Sequence, residues 1–193
     1  MSFYFRICVS KSDAFTFLEV LVTLSVLALL AFCVLPDLKG VARHGHDEMV
    51  LQSLRHALQL SQEAALSHRA TVILCPSDAA EHCKGDWSAG WLAFVDQFDD
   101  GVLHETSQIL FSERLTKTNA HLYWRAFPYY YHDVRFQRAM LAQQMNGTFW
   151  YCHAGEEHPV WALILSQSGR VRLANPGKEG TIPDSQGKPL QCG

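Results

Sequence analysis

The chain has 193 residues and a net charge of −3, from 16 basic and 19 acidic side chains. This length suits one globular domain with an extended segment, and the charge excludes a protein that binds nucleic acid through bulk positive charge. One apolar stretch raises the hydrophobic content to 48%, and an aromatic content of 11% suits a compact β-rich head.

Residues 15–35 form a continuous apolar stretch that ends at Pro36 and contains one ionisable side chain, Glu19. At about 1.5 Å per residue, a helix of this length crosses a hydrocarbon core of ~30 Å. The stretch therefore predicts a single-pass transmembrane helix. A carboxylate inside such a helix is costly, so we expect Glu19 to have a partner.

The hydrophilic residues 1–14 before this stretch allow four interpretations. A secretory signal peptide would be shorter and would end in an Ala-x-Ala-like site. A lipoprotein signal ending at Cys33 would need a small residue before the cysteine, where phenylalanine stands. An ordinary anchor explains the length but not Glu19. A leader cleaved directly before Phe15 explains both, because the new α-ammonium would neutralise Glu19 of a neighbouring subunit.

A resemblance to the type IV prepilin signature lies in the run Ala14-Phe15-Thr16-Phe17-Leu18-Glu19, followed by an apolar tail and Pro36. The family usually has glycine where this chain has Ala14, which is the main departure. The resemblance implies processing at Ala14 and Phe15 by a prepilin peptidase, with methylation as the modification that accompanies it. It also implies other major and minor pilins as partners.

Residues 46–68 show apolar and small side chains with a period near 3.6, which predicts an amphipathic helix with one face on the head. The positions are Val50, Leu51, Leu54, Ala57, Leu58, Ser61, Ala64 and Ala65. Because a proline bends a helix without ending the element, we predict that the transmembrane helix continues past Pro36 as this stalk.

Short β runs bounded by turns replace the helical pattern beyond residue 69. The predicted strands are 71–75, 90–96, 108–112, 121–127, 134–136, 148–152, 161–166 and 171–173. One long helix before seven or eight strands predicts the α+β class, with the helix packed on an antiparallel β-sheet head. The predicted domains are a cleaved leader (1–14), a transmembrane and stalk helix (15–68), the head (69–174) and a flexible tail (175–193).

Four of the six cysteines follow the predicted membrane helix, at Cys75, Cys83, Cys152 and Cys192. An exported head is oxidised, so we expect disulfides, and four cysteines allow three pairings. We favour Cys75–Cys83, which closes a short loop, and Cys152–Cys192, which cross-links the tail to a strand. A zinc site is the competing interpretation, but neither spacing is Cys-x-x-Cys.

Motifs for catalysis or cofactors do not stand out in the sequence. It lacks a Gly-x-Ser-x-Gly nucleophile turn, a His-Glu-x-x-His zinc motif and a complete EF-type calcium loop. We therefore predict that the protein is not an enzyme and uses no cofactor or metal.

The charges of the head are unevenly distributed. Residues 75–113 hold one lysine against eight acidic side chains, a net charge of −7, whereas residues 114–174 hold seven basic against three acidic side chains, a net charge of +4. Such a division allows a positive patch to face phosphates despite the overall negative charge. Uneven surface charge without a role explains the division equally well.

A second resemblance covers the head. Its motifs are Leu74-Cys75-Pro76-Ser77, Asp86-Trp87-Ser88-Ala89-Gly90-Trp91, Phe94-Val95-Asp96, Gly147-Thr148-Phe149-Trp150-Tyr151-Cys152 and Gly169-Arg170-Val171-Arg172. They resemble the FimT/GspH family of type IV minor pilins and type II secretion pseudopilins. The resemblance spans residues 14 to about 174. It implies a type IV pilin-like fold, a bacterial inner-membrane location with a periplasmic head, and a cell-surface location after assembly into a pilus.

The last of these motifs contains the functional candidates. On a strand, Arg170 and Arg172 point to the same face about 7 Å apart while Val171 faces the core, and Gly169 permits the preceding turn. Two guanidinium groups at that spacing match successive phosphates of a nucleic-acid strand. A solvated strand face with no ligand is the alternative interpretation of the arginine pair.

The resemblance to FimT-like minor pilins implies that this motif binds double-stranded DNA during natural transformation. Arg135, Arg138, Lys178 and Lys188 are candidate auxiliary contacts. Binding through phosphates would be independent of sequence and sensitive to salt. The alternative function is a minor pilin or type II secretion pseudopilin that acts in fibre assembly and protein export and binds no DNA.

Overall fold

The computed structural model describes residues 15–34, 37–78, 82–127, 131–137, 145–177, 181–184 and 186–193. The helices are α1 (Phe17–Val34) and α2 (Asp37–His68). The strands are β1 (Thr71–Pro76), β2 (Gly90–Asp96), β3 (Ile109–Arg114), β4 (Ala120–Phe127), β5 (Val134–Phe136), β6 (Asn146–His153), β7 (Trp161–Leu165) and β8 (Val171–Leu173). The predicted α+β class is confirmed, and each strand begins and ends within two residues of its predicted position.

The chain divides between His46 and Asp47 into two compact units. In the first unit, Thr16 directly precedes α1, and its hydroxyl oxygen accepts the backbone N–H of Glu19 at 3.3 Å. The Thr-x-x-Glu sequence at a helix start is the pattern of a capping box, so Thr16 fixes where α1 begins. Among the described residues, no helix combines the length and the apolarity needed to cross a membrane.

The strands of the second unit form two antiparallel four-stranded sheets. The first sheet has the order β3-β2-β1-β5 and the second has the order β4-β6-β7-β8. In the second unit, α2 packs one face against the inner faces of both sheets in a single apolar core. The predicted stripe on α2 supplies the buried side chains of Val50, Leu51, Leu54, Ala57, Leu58, Ser61 and Ala65.

Each sheet also buries side chains on its outer face, the face turned away from the core shared with α2. On the first sheet, Ile73, Leu92 and Phe94 form a cluster with Cys75, and Cys83 and Leu103 pack against it. On the second sheet, Ala162 and Ile164 pack against Ile182 and Leu190 of the C-terminal segment. The described tail residues therefore belong to the folded head.

The predicted flexible tail differs from the structure in this respect. Residues 181–184 and 186–193 pack on the outer face of the second sheet, where the Trp150 indole N–H donates to the backbone oxygen of Gln191 at 3.2 Å. The tail is rich in glycine and proline, which suggested flexibility. Ile182 and Leu190 are buried nevertheless, and two apolar positions so far apart give no periodic signal in the sequence.

Both favoured cysteine pairs form disulfides in the structure, Cys75–Cys83 and Cys152–Cys192. The first joins the end of β1 to the loop before β2. The second closes a sequence separation of 40 residues and ties the tail to β6. Cross-linking so distant a pair removes much conformational freedom from the unfolded chain, which stabilises the fold.

Asp184 organises the tail through its buried carboxylate. One carboxylate oxygen accepts the backbone N–H groups of Gln186 and Lys188 at 2.8 and 2.9 Å, and the other accepts from the Arg125 guanidinium at 2.7 Å. We expect Asp184→Ala to lower the free energy of unfolding by about 2–3 kcal/mol, since hydrogen bonds to a charged group are lost. Chemical denaturation measures this change. Lys188→Ala, at an exposed neighbour, serves as the control and should change stability by less than about 0.5 kcal/mol; equal effects of the two variants would contradict the expectation.

Candidate nucleic-acid interface

The hairpin between β7 and β8 presents the predicted arginine pair. Its turn is closed by the Gly169 N–H, which donates to the Ser166 carbonyl at 2.9 Å, and by the Ser166 N–H, which donates to the Arg170 carbonyl at 3.0 Å. Gly169 has φ of 76°, in the left-handed region that glycine adopts without steric cost. Gly169 therefore has the role predicted for it, and it sets where β8 begins.

Arg170 and Arg172 are both exposed, and Val171 between them packs against the main core. Arg172 lies opposite Ile164 in the register of β7 and β8, which places its side chain on the outer face of the second sheet. Neither arginine has an ion-pair partner among the described residues. Because β8 is the edge strand of its sheet, no other strand in the described part of the chain flanks this pair on its outer side.

Arg135 lies in a different part of the head from this pair. It belongs to β5 of the first sheet and lies opposite Ile73, on the outer face of that sheet. Its guanidinium donates to Asp133 at 2.6 Å and lies 5.1 Å from the ring centre of Tyr131. The structure therefore does not bring Arg135 together with Arg170 and Arg172.

The other predicted positions divide into described and undescribed residues. Ala14, Arg138 and Lys178 lie outside the described residues. Phe15 is exposed before the start of α1, and Glu19 is exposed in the first turn of that helix. Lys188 is exposed on the tail, which covers the same outer face that carries Arg172.

Arg125 on β4 is a cation of this outer face that the sequence did not single out. The strand registers align it with Thr148, Ile164 and Arg172 in one row across the second sheet. Its guanidinium is paired with Asp184 and lies 5.3 Å from the ring centre of Trp150. Arg125 therefore anchors the tail, and the unpaired positive charge in this row belongs to Arg172.

Among the described residues, no group of three or more histidine, cysteine, aspartate or glutamate side chains is placed to hold a metal ion. The chemical capacity of the hairpin is that of two exposed guanidinium groups. These groups donate several hydrogen bonds in a fixed planar geometry and match phosphate or carboxylate oxygens.

Comparisons with known proteins identify the family of the chain. A family model described as type II transport protein GspH matches residues 51–169, and Arg170 follows directly after the matched region. No match is found among curated proteins.

Two crystal structures of the type IV minor pilin FimU from Pseudomonas aeruginosa, in space groups P21 and P65, are similar to the chain at 18% sequence identity. Their TM-scores are 0.47 and 0.46, and the similarity covers 66% of this chain and 87% and 92% of theirs. Since the family model covers more than half of the sequence, the chain belongs to the GspH family of minor pilins and pseudopilins.

Proposed function

We propose that the protein is a minor pilin of a type IV pilus whose head binds double-stranded DNA without sequence preference for uptake in natural transformation. The observation that supports the DNA-binding role is the pair Arg170 and Arg172, exposed, without ion-pair partners among the described residues, and held at a sheet edge by the turn at Gly169.

The geometry of β8 suits contact with a phosphate backbone. Val171 is held against the core, so the strand cannot rotate freely about its axis, and alternation directs the flanking arginines away from that core. Each guanidinium can bind phosphate oxygens in a bidentate manner. The phosphate oxygens and their negative charge belong to the DNA backbone. The contact therefore positions the duplex without selecting a base sequence.

The same proposal assigns residues 15–35 as a single-pass anchor in the bacterial inner membrane, with the head in the periplasm until assembly. A prepilin peptidase would cleave between Ala14 and Phe15, and the new terminus would pair with Glu19 of an adjoining major or minor pilin. The start of α1 supports this arrangement, because Thr16 caps the helix directly after Phe15 and places Glu19 in its first turn.

DNA binding is tested with the full-length protein in detergent, by titrating short fluorescent duplexes of two unrelated sequences over a salt series. For the double variant Arg170→Gln/Arg172→Gln, we expect affinity for both duplexes to fall about tenfold, which corresponds to 1.4 kcal/mol. The slope of log affinity against log salt should shrink by about 2, since each lost phosphate contact contributes about 0.9.

The matched control is Arg114→Gln/Lys117→Gln, which removes the same charge from exposed positions at the end of β3 and in the loop that follows it. This control should keep the affinity and the salt slope of the unchanged protein. An unaltered affinity after loss of Arg170 and Arg172, or an equal loss in the control, would remove the DNA-binding role from the hairpin.

A second candidate function is a pseudopilin or non-DNA-binding minor pilin that acts in fibre assembly and protein export. It is favoured by the description of the matching family as a type II transport protein, and by the end of that match at Gly169, before the arginines. The Arg170→Gln/Arg172→Gln variant in cells separates the two candidates: loss of DNA uptake with normal fibre assembly supports the first, and unchanged uptake supports the second.

A further inference from the structure

A cleft opens at one end of the first sheet, where β1 begins and β2 ends. Its volume is about 380 Å³, which lies within the range of small-molecule sites. Six polar or charged side chains line it: Arg69, Thr71, Asp96, Asp99, Arg135 and Gln137. Two of these side chains are cationic and two are anionic, so the cleft holds both signs of charge in near balance.

The strand register brings these residues together on the outer face of the sheet. Asp96, the last residue of β2, lies opposite Thr71, the first residue of β1. Because alternate residues of a strand share a face, Thr71 lies on the same outer face as Ile73 and its partner Arg135. Gln137 follows β5 directly. Three paired strands therefore hold the walls of the cleft in place.

The carboxylate of Asp96 has an unused oxygen in this cleft. The residue is 3% exposed, and one carboxylate oxygen accepts the Gly101 N–H at 2.9 Å. The other oxygen is buried and has no hydrogen-bond partner among the described residues. A buried charged oxygen without a donor is costly, so the cleft calls for a donor group that these residues do not supply.

Two residues of the cleft hold a backbone conformation that costs free energy. Arg69 directly follows α2 and has φ of 51°, and Asp99 has φ of 53°. They are the only non-glycine residues with positive φ in the described part of the chain. Glycine is the usual residue in this conformation after a helix. Since strained positions concentrate at sites that bind ligands, their meeting in one cleft supports a binding role.

The two arginines of the cleft are available to an anionic group. Arg69 is exposed and has no ion-pair partner among the described residues. Arg135 donates to Asp133 through Nε, and its two terminal nitrogens lie over Gly101, 2.9 and 2.6 Å from where a Cβ atom would stand. Guanidinium nitrogens match the oxygens of a carboxylate. The cleft can therefore bind a carboxylate beside a group that donates hydrogen bonds.

We propose that this cleft binds a small zwitterion, a free amino acid or a short peptide, through its ammonium and its carboxylate. The ammonium donates to Asp96 and Asp99. The carboxylate accepts from Arg69 and Arg135. A simple anion would meet the two aspartates and a simple cation the two arginines, so a ligand with both charges matches the cleft better than either.

The ligand class is tested with the isotope-labelled full-length protein in a non-ionic detergent, titrated with L-alanine and with L-alanyl-L-alanine. The amide resonance of Gly101 reports on the cleft, because its N–H donates to Asp96. We expect this resonance to shift and saturate with at least one of the two. The tighter ligand shows whether the site takes an amino acid or a peptide. No saturable shift with either would overturn the proposal and would leave an ordered water as the partner of Asp96.

Blocked forms of the tighter ligand test the need for both charges. Acetylation removes the ammonium, and amidation removes the carboxylate. We expect each blocked form to bind about tenfold more weakly, since one set of charge-assisted hydrogen bonds is lost. An acetylated form that binds equally well would indicate a site for anions, and an amidated form that binds equally well a site for cations. Either result would overturn the proposal.

Single substitutions locate the site. Asp96→Asn keeps the shape of the buried side chain, and Arg69→Gln removes one exposed charge, so each should weaken binding about tenfold. Lys117→Gln removes an exposed charge beyond β3 and should bind as the unchanged protein does. Normal binding by both cleft variants would contradict the proposal. The cleft belongs to the first sheet, so these variants should keep their DNA affinity, and the two proposals can fail separately.

Discussion

Gly90→Ala is expected to lower the free energy of unfolding by about 4 kcal/mol or more, because the added methyl group would overlap the neighbouring strand and such overlap causes unusually large losses. Gly90 begins β2, where it lies opposite Arg114 of β3 and has φ of 138°. A Cβ atom there would lie 2.1 Å from the carbonyl oxygen of Glu113 and 3.0 Å from the Cα of Arg114. Both are backbone atoms of the paired strand, so relief requires separating β2 from β3.

Thermal unfolding followed by circular dichroism measures this effect, and a midpoint shift of roughly 10 °C is expected for a head of this size. Gly155→Ala is the matched control, because Gly155 also has positive φ, at 82°, but no heavy atom lies within 4 Å of its Cβ position. This control should cost only about 1–2 kcal/mol, the cost of left-handed backbone in an L-residue. Similar losses of unfolding free energy in both variants would show that the positive φ of each glycine, and not collision with β3, causes the loss.

The elements of the head could be predicted because their signals are local. The strands β1 and β2 are short apolar runs between turns, so the turn residues on either side locate them. The apolar stripe on α2 repeats with every helical turn, so its period locates the helix. The division into two sheets could not be predicted in the same way. The short strand β5 pairs with β1 although β4 and β6, its neighbours in sequence, belong to the other sheet. That choice depends on long-range packing.

The same distinction explains the outcome for the candidate site. Arg170 and Arg172 were predicted on one face because alternation and the turn at Gly169 are local features, and the structure has both. The sequence predicts Arg135 as an auxiliary contact of this pair, but Arg135 belongs to the first sheet and lies on another surface. Arg125 was not singled out, because its pairing with Asp184 requires knowledge of the folded tail.

Asp47→Ala is expected to lower the free energy of unfolding by about 3 kcal/mol, because a buried hydrogen-bonding side chain is left without its partner. Asp47 lies on α2, and its carboxylate lies 3.0 Å from the Nε2 atom of His153 at the end of β6. The side chains of Asp47 and His153 are only 5% and 13% exposed, so the remaining histidine could not recover its lost partner from bulk water.

The alanine variant isolates the side-chain contribution. The Trp161 indole N–H donates to the backbone oxygen of Asp47 at 3.2 Å, and this bond does not require the carboxylate. His104→Ala is the control, because it breaks a histidine–aspartate pair whose side chains are about 40% exposed and should cost less than about 1 kcal/mol. Urea denaturation of both variants measures the difference. A loss in Asp47→Ala as small as that in the control would show that the pair does not hold α2 to the second sheet.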